Sequence, residues 1–583
     1  MKQFLKFTLA TIVGVILVWL LGILIFFGVV GAIASSSETE TVLKPNSVYE
    51  IKLEGTLIDR SKDDPLTSAY TSALGLSSDG EIGLDDILAN IEKAKNDQNI
   101  VGIYLKGGSL SARTASIREI RNALLDFKKS GKFIVSYADN YTQGMYYLVS
   151  CADKILLNPD GMLELKGLST ETMYFKNTLD KLGIDVQVVK VGTFKSAVEP
   201  YINTKMSDAN RLQINVFLNS IWNTILKDVS ASRKIPFEKL NMYADEMMTY
   251  QPTEKSKQYG LVDSLVYVDQ VDSIIRKCAK DQQLTYVKHS AMNKLPDTSK
   301  FNKNKIAVIY AVGEITDTDG DGIVAKDMVK TINEVAKDSA VKAVVFRVSS
   351  PGGSAYASEQ IWHALNVLKT KKPLIVSMGD YAASGGYYIS CTANTIVAQP
   401  NTITGSIGIF GLIPNIKGLN EKLGLSYDGV KTNKMSDAIS INRAFTPEER
   451  GLMQNYVNRG YELFVKRCAN GRKMTTDQIK AVAEGRVWTG EDAIKIGLVD
   501  KIGGLNDAIA IAAKQAKIDA YNINTYPEKE NFTTKLLKDL GKDVQLKFVK
   551  AQLGEHYQLF DQIKKMESLK GIQAKMPYDL IIQ

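Results

Sequence analysis

The chain has 583 residues, of which 72 are lysine or arginine and 64 are aspartate or glutamate, for a net charge of +8. This length exceeds one ordinary core and suits two domains of roughly 240 residues with extra terminal segments. The basic residues form no run that would follow a phosphate backbone, so nucleic acid is not an expected partner. The four cysteines have neither metal-ligand nor CxxC spacing, which predicts no metal site.

The first feature along the chain is the apolar run Phe7–Ala34, within a stretch from Lys6 to Glu38 that has no charged residue between its ends. The run is long enough to cross a ~30 Å hydrocarbon core as a tilted helix, which predicts a transmembrane anchor in the lipid bilayer. A cleaved signal peptide is the alternative, since Ala32–Ala34 has small residues at cleavage spacing, although such apolar regions usually stop at about 15 residues. Lysines precede the run and glutamates follow it, which predicts an N-terminus in the cytoplasm and the remainder outside; in a bacterium this means the inner membrane and its periplasmic side.

An internal repeat follows the anchor. At an offset of 241, ten of the 26 positions in 134–159 are identical to those in 375–400. The second copy holds Ser384 where the first holds Gln143. Duplication predicts two domains of one fold, of which only the second has a candidate hydroxyl nucleophile.

Both copies alternate strands with helices. The predicted strands are Ile100–Leu105, Phe133–Tyr137, Ala343–Val348, Pro373–Met378 and Thr395–Ala398, and the predicted helices are Thr114–Lys128, Ala355–Leu368 and one starting near Ser384. This succession implies an α/β fold with a largely parallel, buried sheet and helices outside it.

Four segments are expected. Residues 1–45 form the cytoplasmic N-terminus and transmembrane anchor, 46–295 the first repeat domain, 303–526 the second repeat domain and 527–583 a Lys-rich helical tail. The polar stretch Lys294–Lys305 is the best candidate for the linker between the domains.

Ser384 begins a Ser-Gly-Gly sequence at a predicted helix start. A helix N-terminus can activate a serine and can offer Gly385 N–H to a developing oxyanion, and the Pro-Gly-Gly loop that ends at Gly353 can offer a second donor. Each such donor contributes ~3 kcal/mol of transition-state stabilisation. The alternative is a turn in which Ser384 only caps its helix, and the motif alone favours that alternative.

The base that would activate the serine is not a histidine, because His289, His363 and His556 all lie outside the motif segments. Lysine remains, and lowering a lysine pKa from 10.4 to 7–8 requires ~4 kcal/mol of desolvation or positive neighbours. Lys195 lies among apolar neighbours in the first repeat. Its alternative is a surface lysine paired with Glu199.

Four segments together carry a family resemblance: Phe194–Pro200, Arg347–Ser354, Met378–Tyr388 and Thr404–Gly411. They resemble the signal peptide peptidase A family, also called protease IV or peptidase family S49, in its long, duplicated form. The resemblance spans the anchor and both repeats. It implies two tandem Clp-protease/crotonase-like domains, each a βαβ superhelix, after an N-terminal transmembrane helix.

The resemblance also implies a Ser-Lys dyad, with Ser384 as nucleophile and Lys195 as general base, and no metal or organic cofactor. Further roles are implied for two groups of residues: Gly385, Gly352 and Gly353 as oxyanion donors, and Thr404 and Ser406 as partners of the lysine amine. Which loop glycine donates stays open, and a structural turn is the alternative for Thr404 and Ser406.

The expected function is membrane-anchored cleavage of released signal peptides and other apolar, extended peptides by a homo-oligomer, with a tetramer favoured. Two other functions are alternatives to peptide cleavage. A crotonase-like enzyme would use the same oxyanion loop on acyl-CoA, and a catalytically silent membrane scaffold would only bind peptides.

Overall fold

The structure is a computed structural model of the chain and describes residues 2–36, 43–61, 80–280, 283–295, 302–318, 320, 322–528 and 572–576. The chain starts with a helix, α1 (Lys2–Ser36). Across the described residues, no helix combines the length and the apolar character that crossing a bilayer requires.

The first repeat is built on a parallel sheet. The strands of this half of the chain are β1 (Ser47–Ile58), β2 (Glu81–Gly83), β3 (Ile100–Ser111), β4 (Phe133–Tyr141), β5 (Lys154–Leu163), β6 (Asp185–Val191), β7 (Ser264–Leu265) and β8 (Thr285–Lys288). All except β6 form one sheet in the order β2-β1-β3-β4-β5-β7, with β8 also paired to β1, and every pairing is parallel.

Helices alternate with these strands along the first half of the chain. They are α2 (Leu84–Asn96), α3 (Thr114–Lys128), α4 (Gln143–Val149), α5 (Lys176–Leu182), α6 (Glu199–Ile202), α7 (Asp208–Arg233), α8 (Phe237–Asp245), α9 (Thr253–Gln258), α10 (Val268–Cys278) and α11 (His289–Asn293), with 3-10 turns at Ser196–Val198 and Met248–Tyr250.

The second repeat follows the same plan. Its strands are β9 (Lys305–Val312), β10 (Ile315–Thr316), β11 (Ile323–Val324), β12 (Val341–Ser350), β13 (Gly352–Ser354), β14 (Leu374–Ala383), β15 (Thr395–Ala398), β16 (Ile403–Gly405), β17 (Ile409–Asn415), β18 (Val487–Thr489), β19 (Lys501–Ile502), β20 (Asn522–Tyr526) and β21 (Ile572–Lys575). Its helices are α12 (Ala325–Lys337), α13 (Ala355–Lys369), α14 (Gly385–Ser390), α15 (Lys417–Lys422), α16 (Pro447–Arg472), α17 (Thr476–Val482), α18 (Gly490–Lys495) and α19 (Leu505–Ala516).

The core sheet of the second repeat has the order β18-β16-β14-β12-β9-β20, and β15 lies beside β14 and β19. All of its pairings are parallel except β16 with β18. Strand β14 is buried along its whole length, and β12 is buried except at Lys342. Their β-branched and apolar residues suit strands that are covered on both faces.

A third sheet joins the two halves of the chain. Its order is β11-β10-β13-β21-β17-β6, so β6 of the first half pairs with β17 of the second. The pairing is antiparallel over seven positions, from Asp185 opposite Asn415 to Val191 opposite Ile409. This ladder carries the chain that follows β6 to the edge of the second repeat.

The predicted strands and helices are present, but two strands are longer than predicted. Strand β3 continues past Leu105 to Ser111, and β14 continues past Met378 to Ala383. In the tail, where a helix is predicted, the described residues include the strand β21, and residues 529–571 and 577–583 lie outside the described part of the chain. Much of the predicted linker, at 296–301, also lies outside it.

Candidate active site

Ser384 lies in a strained turn between β14 and α14. Its backbone φ of 55° and ψ of −113° are unusual for a residue with a side chain, and its N–H donates to Gly405 O at 2.8 Å. Its side chain makes no capping hydrogen bond to α14. Helix capping, the alternative that the motif alone favours, is therefore not what this hydroxyl does.

Lys195 reaches the serine from the other repeat. It follows β6, and the neighbouring Phe194 N–H donates to Glu484 O of the second repeat at 2.9 Å. The Lys195 side chain is fully buried, and its Nζ lies 2.8 Å from Ser384 Oγ. Two residues that are 189 positions apart in the sequence thus form a direct hydrogen bond.

Burial lowers the pKa of the Lys195 ammonium well below its ordinary value of 10.5, because desolvation penalises the charged form. Glu199, the partner in the surface-lysine alternative, instead accepts hydrogen bonds from Ser207 Oγ at 2.5 Å and Asn210 Nδ2 at 3.0 Å. The environment of the amine therefore favours its neutral form, and the amine does not form that surface ion pair.

Only one of the two predicted auxiliary residues reaches the amine. Lys195 Nζ donates to Ser406 O at 3.1 Å and to Ser406 Oγ at 3.0 Å. The Thr404 hydroxyl donates to Ala382 O at 2.7 Å, within the pairing of β16 with β14, and does not bond to Lys195. Thr404 thus has the structural role that was its alternative.

The glycine loop lies against the start of α14. A Cβ on Gly352 would lie 2.7 Å from Gly385 N and would collide with Ala574 O, so this position has no room for a side chain. The Gly352 N–H donates to Ser350 Oγ at 3.1 Å, whereas Gly353 pairs with Ala574 in the ladder of β13 and β21. The two glycines therefore present their amides to different neighbours.

In the first repeat, Gln143 stands at the position equivalent to Ser384. The Gln143 side chain accepts a hydrogen bond from Lys166 N at 2.9 Å and donates one to Gly167 O at 2.9 Å. These bonds hold the local backbone together and leave no nucleophile there.

Two of the three histidines are in the described part of the chain, and neither contacts the site. His289 is hydrogen-bonded to Tyr49 Oη in the first repeat, and His363 is exposed on α13. His556 lies outside the described residues.

The sequence prediction missed the residues that hold the lysine loop. Gln213 on α7 is buried, and its Nε2 donates to Phe194 O at 3.1 Å while its Oε1 accepts from Val487 N at 3.2 Å. The Glu484 carboxylate accepts from Thr193 N at 3.0 Å. A buried glutamine inside a helix carries no local signal for this role, because Phe194 and Val487 lie 19 and 274 positions away in the sequence.

The chain is similar to known proteases. Peptidase family S49 matches residues 126–284 and 366–519, once in each repeat. Protease 4 of Salmonella typhi is 38% identical over 557 residues, which cover 92% of this chain and 88% of that protein. Protease 4 of Haemophilus influenzae is 33% identical, with 91% and 90% covered.

A plant protein is also similar. The chloroplastic serine protease SPPA of Arabidopsis thaliana is 32% identical over 92% of this chain and 78% of its own. Among solved structures, a ClpP1 mutant from Listeria monocytogenes covers 35% of this chain with a TM-score of 0.25 and 16% identity.

Proposed function

Because the chain is a serine protease that belongs to peptidase family S49, we propose that Ser384 is its nucleophile and Lys195 its general base. One observation carries this proposal: a fully buried lysine amine lies 2.8 Å from the serine hydroxyl. The reaction is hydrolysis of a peptide bond through an acyl-enzyme on Ser384.

The hydrogen bonds of Lys195 suit a neutral amine, which has two N–H donors and one lone pair. The two donors point to Ser406 O and Ser406 Oγ, and the lone pair is left to face Ser384 Oγ. In the reaction the amine takes the hydroxyl proton as Oγ attacks the scissile carbonyl. It then returns that proton to the leaving amine.

The oxyanion that forms is held by backbone amides in this proposal. Gly385 N–H at the start of α14 is one donor, as the sequence predicts. Gly353 is the loop donor, because the Gly352 N–H is already engaged by Ser350 Oγ. Fixed amides of this kind need no reorganisation when negative charge develops.

Membership of a protease family decides against the two alternative functions, the acyl-CoA enzyme and the silent scaffold. For the finer function, we propose that the substrates are released signal peptides and other apolar, extended peptides, which pair through their backbones.

The proposal also includes a membrane anchor at Phe7–Ala34, periplasmic catalytic domains, a Clp-protease/crotonase-like fold for each repeat, and a homo-oligomer. The support for the anchor is the absence of charge between Lys6 and Glu38. Retention of the full chain in carbonate-washed membranes, and its release when residues 1–45 are deleted, is the expected result.

The dyad is tested by two substitutions. Ser384→Ala and Lys195→Ala are each expected to lower kcat for an apolar peptide by at least about 10³-fold, because each removes a group that acts in bond breaking. Peptide hydrolysis is the measurement, and an unchanged thermal midpoint shows that the fold is intact. Hydrolysis near the wild-type rate in either folded variant would contradict the dyad.

A further inference from the structure

The buried side chain of Gln213 on α7 is hydrogen-bonded to the chain on both sides of the candidate base. Its Nε2 donates to Phe194 O at 3.1 Å and to Ser196 Oγ at 3.1 Å, and these residues immediately precede and follow Lys195. Its Oε1 accepts from Val487 N at 3.2 Å, on strand β18 of the second repeat. One amide group thus joins the loop of the lysine to a strand of the other repeat.

Strand β18 belongs to the part of the sheet that holds Ser384. Val487 is opposite Gly405 in the antiparallel pairing of β18 with β16. The Gly405 carbonyl in turn accepts from Ser384 N at 2.8 Å. The contacts of Gln213 therefore connect the loop of Lys195 to the backbone frame of the serine, so the placement of the amine at the hydroxyl depends on them.

A buried carboxylate sets the orientation of the Gln213 amide. Carboxylate oxygens accept hydrogen bonds, so the 3.0 Å contact of Glu199, which is 2% exposed, requires Asn210 Nδ2 as donor. Asn210 then presents its Oδ1, which accepts from Gln213 Nε2 at 3.0 Å. This leaves Gln213 Oε1 to accept from the Val487 N–H. Reversing Gln213 would set donor against donor at Val487, and reversing Asn210 would set oxygen against oxygen at Glu199.

We propose that Gln213 is a positioning residue of the peptidase reaction, which fixes the backbone on both sides of Lys195 and so holds the amine at Ser384 Oγ. This proposal rests on the proposed function, because the position of the amine matters to the reaction only if Lys195 is the base. The bond of Thr193 N to the Glu484 carboxylate also holds this loop, but it is exposed and water can replace it. The Gln213 amide is buried, and its partners would lose their hydrogen bonds without it.

Gln213→Met tests the proposal, because methionine has a similar length and cannot make these hydrogen bonds. At the pH of maximum activity the variant is expected to lower kcat for an apolar peptide at least about tenfold and to change KM less than about threefold, since the base is misplaced while the peptide-binding surface stays intact. The acid limb of the kcat profile is expected to move to higher pH. A looser loop admits water to the amine and raises the pKa of Lys195 toward its ordinary value, so the neutral base forms at higher pH.

Gln213→Asn is the second variant and carries the test if Gln213→Met does not fold. It keeps the amide but is too short to span the lysine loop and β18, so the same pattern is expected. The matched control is Thr224→Val, which removes a buried hydroxyl farther along α7 with bonds to Ser220 O and Glu491, and which should leave kcat and KM within about twofold of the wild type.

A smaller fall in kcat than expected in a folded Gln213 variant, or a loss of activity that is carried by KM instead, overturns the proposal. Failure of the dyad would appear separately, as unchanged hydrolysis in Ser384→Ala or Lys195→Ala.

Discussion

At the scale of single residues, the main finding is a lysine amine that is buried beside a serine hydroxyl. Among the described residues, the hydrogen-bond partners of Lys195 Nζ belong to Ser384 and Ser406, and none is a carboxylate. Burial lowers the pKa of Lys195 because desolvation penalises the ammonium form. Folding is therefore expected to be sensitive to pH.

We expect the stability of the chain to rise with pH because of Lys195. Between its lowered pKa in the folded chain and its ordinary pKa near 10.4 in the unfolded chain, the unfolded chain binds one more proton. The free energy of unfolding then increases by up to about 1.4 kcal/mol per pH unit in that window and is independent of this group below it.

Urea unfolding of the wild type and of Lys195→Met, from pH 6 to 10, measures this slope. The variant is expected to show a shallower rise, because it lacks the titrating group. Lys205→Met, at an exposed lysine on the loop before α7, is the control and should keep the wild-type slope. Equal slopes in the wild type and Lys195→Met would show that the amine stays charged in the folded chain.

At the scale of secondary structure elements, the two repeats use one duplicated aspartate differently. Asp380 of the second repeat accepts from Ala115 N at 3.1 Å and Ser116 N at 3.0 Å, and so caps helix α3 of the first repeat. Its counterpart Asp139 is exposed and accepts from Tyr137 Oη at 2.7 Å. The cap satisfies helix donors that would otherwise be buried without partners.

Asp380→Ala is expected to lower the free energy of unfolding by about 1–3 kcal/mol, since it leaves two buried N–H groups unpaired. The matched variant Asp139→Ala should cost less than about 1 kcal/mol, because water can replace the lost partner. Denaturant titration of both variants measures the difference. Equal losses would mean that the cap between the repeats contributes little.

At the scale of the whole molecule, the proposed dyad is divided between the two halves of the chain. The second repeat carries Ser384, and the first carries Lys195 together with β6, which pairs with β17. A buried ion pair also crosses between the halves: Arg347 contacts Glu119 at 2.7 Å and Asp59 at 2.9 Å. The backbone ladder between β6 and β17 also joins the halves over seven positions, so they are expected to remain bound to each other when the connection is cut.

A chain split within residues 296–301 tests this. Each half alone is expected to hydrolyse peptides at least about 10³-fold more slowly than the whole chain, because it lacks one member of the dyad. Mixing the halves should restore activity, and a first half with Lys195→Ala should not. Wild-type turnover by the second half alone would place the base elsewhere.

Local patterns in the sequence were sufficient for the duplication and for most of the strands and helices, whereas the prediction of Ser384 and Lys195 as a dyad depended on the family resemblance. These features depend on side-chain periodicity and on short motifs, which act over a few residues. The helix predicted for the tail is wrong at Ile572–Lys575, because these residues form the strand β21 through pairing with β13 and β17.

Four facts came from the folded chain alone: the contact of Lys195 with Ser384, the choice of Ser406 over Thr404 as partner of the amine, the contacts of Gln213 with the lysine loop, and the pairing of β21 with β13. Each depends on tertiary contacts that local sequence patterns do not encode. Pairing of β6 with β17 positions the lysine, and the burial that follows lowers its pKa.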